Sequence, residues 1–160
     1  MPKTISLATL ALMSLFLFSP AFGADEHNTA PGLTAAGAPL GLHGVDPVAF
    51  IEIGNRVDGS AAHTAVHDGV AYYFASAANQ ELFERNPERY APQNGGFCTF
   101  GVSVSKKFDG DPQYAAVVDG KLYVFLNESI YREFQKDRRG TIRKAAANWK
   151  KIRNTRATEL

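Results

Sequence analysis

Two stretches of the chain match each other without a gap. HDGVAYYFASAANQELFERN, residues 67 to 86, aligns with VDGKLYVFLNESIYREFQKD, residues 118 to 137, so that Asp68-Gly69 meets Asp119-Gly120, Tyr72 meets Tyr123, Phe74 meets Phe125 and Phe83 meets Phe134. An Asp-Gly pair between apolar runs is the favoured two-residue hairpin turn, because glycine takes a positive φ at no steric cost. Aromatic residues two apart share one face of a strand. Ser76 and Asn127 then stand where a helix needs its N-cap, and Leu82 with Phe83, and Ile130 with Tyr131 and Phe134, give each following helix an apolar stripe. The pattern predicts strand, turn, strand, helix, used twice, with Phe83 and Phe134 in one shared core. Turn and cap chemistry could force some of these matches by chance. Under either origin the fold class is α+β, a small single domain of two β-hairpin–helix units.

A C-terminal helix completes it. In GTIRKAAANWKKIRNTR, Gly140 reads as the stop of one helix and Thr141 as the cap of the next, and Ile142, Ala146, Trp149 and Ile152 fall at helical spacing. From Lys136 to Arg156 nine Lys or Arg face a single acid, Asp137. That face suits an anionic membrane surface or an acidic partner, or is simply solvated.

The first residues read as an export signal: Lys3, an apolar run from Ile5 to Phe18, the breakers Ser19 and Pro20, then Ala21 and Gly23 in a small-x-small arrangement. Residues 1–23 are therefore expected to be cleaved and the protein to be periplasmic or secreted. Their removal takes away Lys3 and no acid, leaving bases and acids in balance, so net charge points to no partner and nucleic acid is not expected. Residues 24–42, rich in Ala, Gly and Pro and without apolar period, read as a flexible leader. The folded domain is expected over 43–153, with 154–160 as a tail.

In that compartment thiols usually pair, and this chain has one, Cys98, in GGFCTFGVS. Gly95 and Gly96 allow close backbone approach, and Phe97 and Phe100 flank the thiol in an apolar, strand-like run. Three readings stay open: a small buried hydrophobe, a ligand for a soft metal such as Cu(I), and a redox-active or partner-bonding thiol. His43, before Asp46-Pro47, is the histidine best suited to join Cys98 on a metal. His63 and His67 have the four-residue spacing of helical zinc ligands. The turn at Asp68-Gly69 instead puts them on a strand, about 13 Å apart, too far for one ion. His27 lies in the leader. No phosphate loop, HExxH, paired-cysteine or Ser/His/Asp pattern marks an enzyme.

GVDPVAF (44 to 50), YYFAS (72 to 76), NPERYAP (86 to 92), GGFCTFGVS (95 to 103), VDGKLYVFLN (118 to 127) and ANW (147 to 149) together resemble a YHS-domain protein of the bacterial exported type. The resemblance covers nearly all of the chain after residue 42. It implies a domain of a family in which some members bind heavy metals through cysteines in a DPVCGM-like element and at an FCSxxC-like helix start. At those places this chain has Ala49, Ala75 and Asn79, so the family's metal site does not carry over. The expected function is an exported, non-catalytic binding module taking a metal ion, copper being the best chemical match, or a small ligand around Gly95, Gly96, Phe97 and Cys98. The alternatives are a structural or interaction protein of the cell envelope, and a thiol redox protein.

Overall fold

The computed structural model describes residues 27–160, so the predicted signal, residues 1–23, lies outside the described residues. Asp46 caps helix α1 (Pro47–Ile53), with Pro47 at the first helical position, where its missing N–H costs nothing. Strands β1 (Ser60–His67) and β2 (Val70–Phe74) form an antiparallel hairpin, and Ser76 caps α2 (Ala77–Arg85), followed by the single turn α3 (Pro87–Tyr90). The second half repeats the order: α4 (Thr99–Ser103), the hairpin of β3 (Asp111–Val118) and β4 (Lys121–Phe125), then α5 (Glu128–Lys136) behind its cap Asn127. Helix α6 (Arg138–Ile152) closes the fold. The predicted α+β class and both hairpin–helix units are present.

The turns have the backbone their sequence demands. Asp68 and Gly69 lie at φ 48 and 76, and Asp119 and Gly120 at φ 50 and 70, so both central residues are left-handed, as a type I′ turn requires. The likeness runs further back than the matched letters. Each hairpin shifts register at the same relative place, between Ser60 and Thr64 and between Asp111 and Ala115.

The two phenylalanines do not share a core. Phe83 packs with Leu42, Val45, Val48, Phe50, Tyr72 and Phe74, whereas Phe134 packs with Cys98, Tyr123 and Phe125. The strand β4 explains the division: Leu122 and Val124 point into the first cluster and Tyr123 and Phe125 into the second, so one strand is buried on both faces. A third cluster, Phe97, Val102, Ala145 and Ile152, holds α6 on α4.

Three segments differ from expectation. Residues 27 to 42 are not a loose leader. Ala71 donates its N–H to Pro39 O and accepts from Gly41 N–H, both at 2.9 Å, and Ala38 and Leu42 are buried. Backbone pairing to the edge of β2 replaces the apolar period that the segment lacks. Gly140 and Thr141 lie inside α6 rather than before it. Asp137 is the cap, accepting from Gly140 N–H at 2.9 Å, and a Cβ at position 140 would collide with that carboxylate. The buried positions of α6 are accordingly Gly140, Thr141, Ala145 and Ile152, with Ala146 exposed. Residues 154 to 160 are tied down as well: buried Lys107 donates from Nζ to the carbonyls of Arg153 (2.9 Å) and Thr155 (2.7 Å), and Leu160 packs on the third cluster. An ammonium on the last carbonyls of a helix is favoured by the helix dipole, and the rings of Phe97 (5.0 Å) and Trp149 (5.3 Å) face the same charge.

Candidate functional site

Cys98 is not in a strand, nor between the units. It is the N-cap of α4, buried in the second unit's own cluster. Its surroundings repeat those of Asp46. Asp46 N–H donates to Val57 O (2.8 Å), and Cys98 N–H donates to Phe108 O (2.9 Å). Phe50 N–H reaches Asp46 O (3.1 Å), as Val102 N–H reaches Cys98 O (3.0 Å). Before the caps, His43 (φ 49, ψ 26) adopts the left-handed conformation of Gly95 (φ 61, ψ 21). The duplication thus runs from Leu42 and Asn94 onward, with Asp46 and Cys98 in equivalent places.

What the two caps hold differs. One oxygen of Asp46 accepts the N–H groups of Val48 (2.8 Å) and Ala49 (2.9 Å), and the other accepts Ala75 N–H (2.8 Å) and Asn79 Nδ2 (2.7 Å). Four donors satisfy a carboxylate that is wholly buried. Ala49, Ala75 and Asn79 are the three positions where the resemblance would place thiolates, and all three are spent on this carboxylate. In the second unit the sulfur accepts Gly101 N–H at 3.5 Å, and the N–H groups of Leu126 and Phe100 also act on it. Gly101, Leu126 and Phe100 correspond to Ala49, Ala75 and Val48. Burial is the largest influence on the thiol and pushes its pKa up; the three N–H groups pull it down, and the charge of Asp109 adds to the rise. The sulfur is therefore a protonated thiol near neutral pH.

Asn79 has Ile130 as its counterpart, and there the packing opens. A cavity of about 130 Å³ lies over Cys98, walled by Phe100, Gly101, Val104, Phe108, Leu126 and Ile130. Apart from the sulfur, no side chain in that wall carries a polar atom. Val104, Phe108 and Leu126 are also exposed, so the cavity opens through an apolar rim.

His43 does not line the cavity. Its Nε2 lies 3.0 Å from Asp109 Oδ1, which also accepts from Asn28 Nδ2 at 2.7 Å. The two candidate ligands flank neighbouring residues, Cys98 bonding Phe108 and His43 bonding Asp109, but no bond joins them. Of the predicted loop, Gly95 accepts Asn28 N–H (2.7 Å), and Phe97 turns into the third cluster beneath Lys107. His63 and His67 do lie on β1, and His67 meets the edge of Phe83 at 6.1 Å. Among the described residues no group of three or more His, Cys, Asp or Glu is placed to hold a metal ion.

Sequence reading missed Asp46 and the cavity. The signal for the first was present in GVDPV and GFCTF, where an apolar residue, a capping residue and a second apolar residue recur after glycine. The exposed cations Arg138, Arg139, Arg143, Lys144, Lys150 and Lys151 do lie on α6, as expected of a basic helix. No helix among the described residues is long and apolar enough to cross a membrane. No family model, curated protein or solved structure matches the chain.

Proposed function

We propose that the protein is an exported, non-catalytic binding module of YHS-like type that takes a small apolar ligand in the cavity over Cys98. The observation that carries this reading is the difference between equivalent places in the two units: a sealed, fully bonded carboxylate in one, and in the other a soft sulfur under an apolar void. An apolar void of such size suits molecules such as benzene or xenon, because water against its walls finds no hydrogen-bond partner beyond the sulfur. The sulfur adds polarisable contact without demanding a proton acceptor. Copper handling is the weaker branch, since Cu(I) needs a second soft donor and the cavity wall offers none beside Cys98.

The test is a methyl-detected NMR titration with benzene, run beside a Cu(I) titration against a competing chelator. Saturable shifts at Val104, Leu126 and Ile130, lost in Val104→Trp, which plugs the exposed rim, support the apolar ligand. Flat methyl signals together with tight Cu(I) binding lost in Cys98→Ala would replace it with the metal reading.

A second reading rests on the basic face of α6, whose six cations named above are all exposed. It makes the protein an interaction module for an anionic surface or acidic partner. Sedimentation with anionic vesicles, lost at high salt and in Lys150→Glu/Lys151→Glu, is its test.

A further inference from the structure

A second concavity, of about 400 Å³, lies where the first hairpin's turn and α3 face α6. That volume is in the range of small-molecule sites. Its lining carries both charges. Asp68 on the turn, with its Oδ2 3.5 Å from His67 Nε2, and Glu88 on α3 supply the acids; Lys150 in the last turn of α6 and Arg153, the C-cap of that helix, supply the bases, and His27 also lines the groove. Trp149 also lines the groove, half-buried, its ring packed against Phe97 at 6.2 Å. Among the described residues neither Glu88 nor Lys150 has a salt-bridge partner.

A simple anion entering this groove would approach Lys150 but be repelled by Asp68 and Glu88, and a simple cation would meet the reverse. A molecule with both charges, separated by an apolar part, satisfies both sets at once. We propose that the groove binds a zwitterionic amino acid or short peptide, its ammonium toward Asp68 and Glu88, its carboxylate toward Lys150 and Arg153, and an apolar side chain against Trp149. The site is separate from the Cys98 cavity, with which it shares no lining residue.

Trp149 is the only tryptophan, so its fluorescence reports on the groove directly. The probe is the dipeptide Ala-Phe, with three companions: the N-acetylated form, which lacks the ammonium; the C-terminal amide, which lacks the carboxylate; and free phenylalanine, which separates amino acid from peptide as source. The dipeptide or phenylalanine should produce a saturable change, and either blocked dipeptide should bind at least about tenfold more weakly, as expected from losing a charge-assisted contact. Glu88→Lys should weaken the free dipeptide and strengthen the N-acetylated one. Lys150→Glu should weaken the free dipeptide and strengthen the amide, which carries only the ammonium. Both variants change exposed side chains, and their circular dichroism should match the parent. Equal binding of free and blocked forms, or no change in Trp149 emission at millimolar dipeptide, overturns the proposal.

Discussion

The two units share turns, caps and a bulged register, yet they treat the same helix start in opposite ways. In the first, Asp46 draws Val48, Ala49, Ala75 and Asn79 onto one wholly buried carboxylate. In the second, a thiol with weak acceptor capacity holds Gly101 at 3.5 Å, and Ile130 stands where Asn79 does. The first start is built to be rigid, and the second gives up hydrogen bonding for a void. A duplicated fold can do this because the backbone donors are supplied by the helix start itself, so the side chain at the cap decides whether the place is structural or open.

The largest effects should come from the cores, and they test whether the units are separate. Phe83→Ala and Phe134→Ala each remove a fully buried ring and should each cost about 3–5 kcal/mol by denaturant unfolding. Because the rings sit in different clusters, the double variant should lose the sum of the two within about 0.5 kcal/mol. A coupling well above that would show that β4, with Leu122 and Val124 on one side and Tyr123 and Phe125 on the other, fuses them into one core.

Next comes the same substitution at equivalent places. Asp46→Ala strands three backbone N–H groups and the Asn79 amide in a buried site and should cost roughly 3 kcal/mol or more. Cys98→Ala removes one sulfur beside a void and weakly held donors, so about 1 kcal/mol is expected. Comparable losses would mean that the thiol bonds its cradle as firmly as the carboxylate does.

Much of this comparison was written in the sequence, and the missing part has a physical reason. Asp68-Gly69, Asp119-Gly120, Ser76 and Asn127 act within a few residues of themselves, so their letters suffice. Asp46 and Cys98 share only a preceding glycine and flanking apolar residues in their letters; their equivalence rests on backbone bonds to Val57 and Phe108 and on left-handed residues as unlike as His43 and Gly95. The leader misled for a related reason: Pro39 and Gly41 pack by main-chain bonds to Ala71, which carry no apolar pattern. The cavity over Cys98 depended on Ile130, a residue that reads in sequence as ordinary helix stripe.

A smaller effect should come from converting one place into the other. Cys98→Asp puts a carboxylate on the N–H groups of Phe100, Gly101 and Leu126, but its outer oxygen then faces apolar walls, so a net loss of about 1–3 kcal/mol at neutral pH is expected. Adding Ile130→Asn supplies the amide that Asn79 gives Asp46, and the pair should recover most of the loss, with a favourable coupling of about 0.5–3 kcal/mol. Additive losses would show that the second helix start does not reproduce the geometry of the first. The double variant should also lose benzene binding, since the amide and carboxylate would occupy the void.

The smallest effect is carried by a single group and appears only in alkali. Burial holds the Cys98 thiol above its ordinary value of 9.0, so the folded state keeps its proton more tightly than the unfolded chain does. The stability this contributes is complete below the unfolded value and declines as pH rises through the folded one. Tyr72, Tyr90 and Tyr123 are raised as well, chiefly by burial, and add a decline above their ordinary 10.0. Serine at position 98 keeps a cap but does not titrate in this range. Unfolding free energies measured from about pH 8 to about pH 11 should therefore fall for both proteins, beginning at lower pH and falling further for the parent than for Cys98→Ser. Parallel curves would mean that the thiol is as free to ionise in the folded protein as in the unfolded chain, and the buried, low-polarity environment assigned to the sulfur of the second helix start would then be wrong.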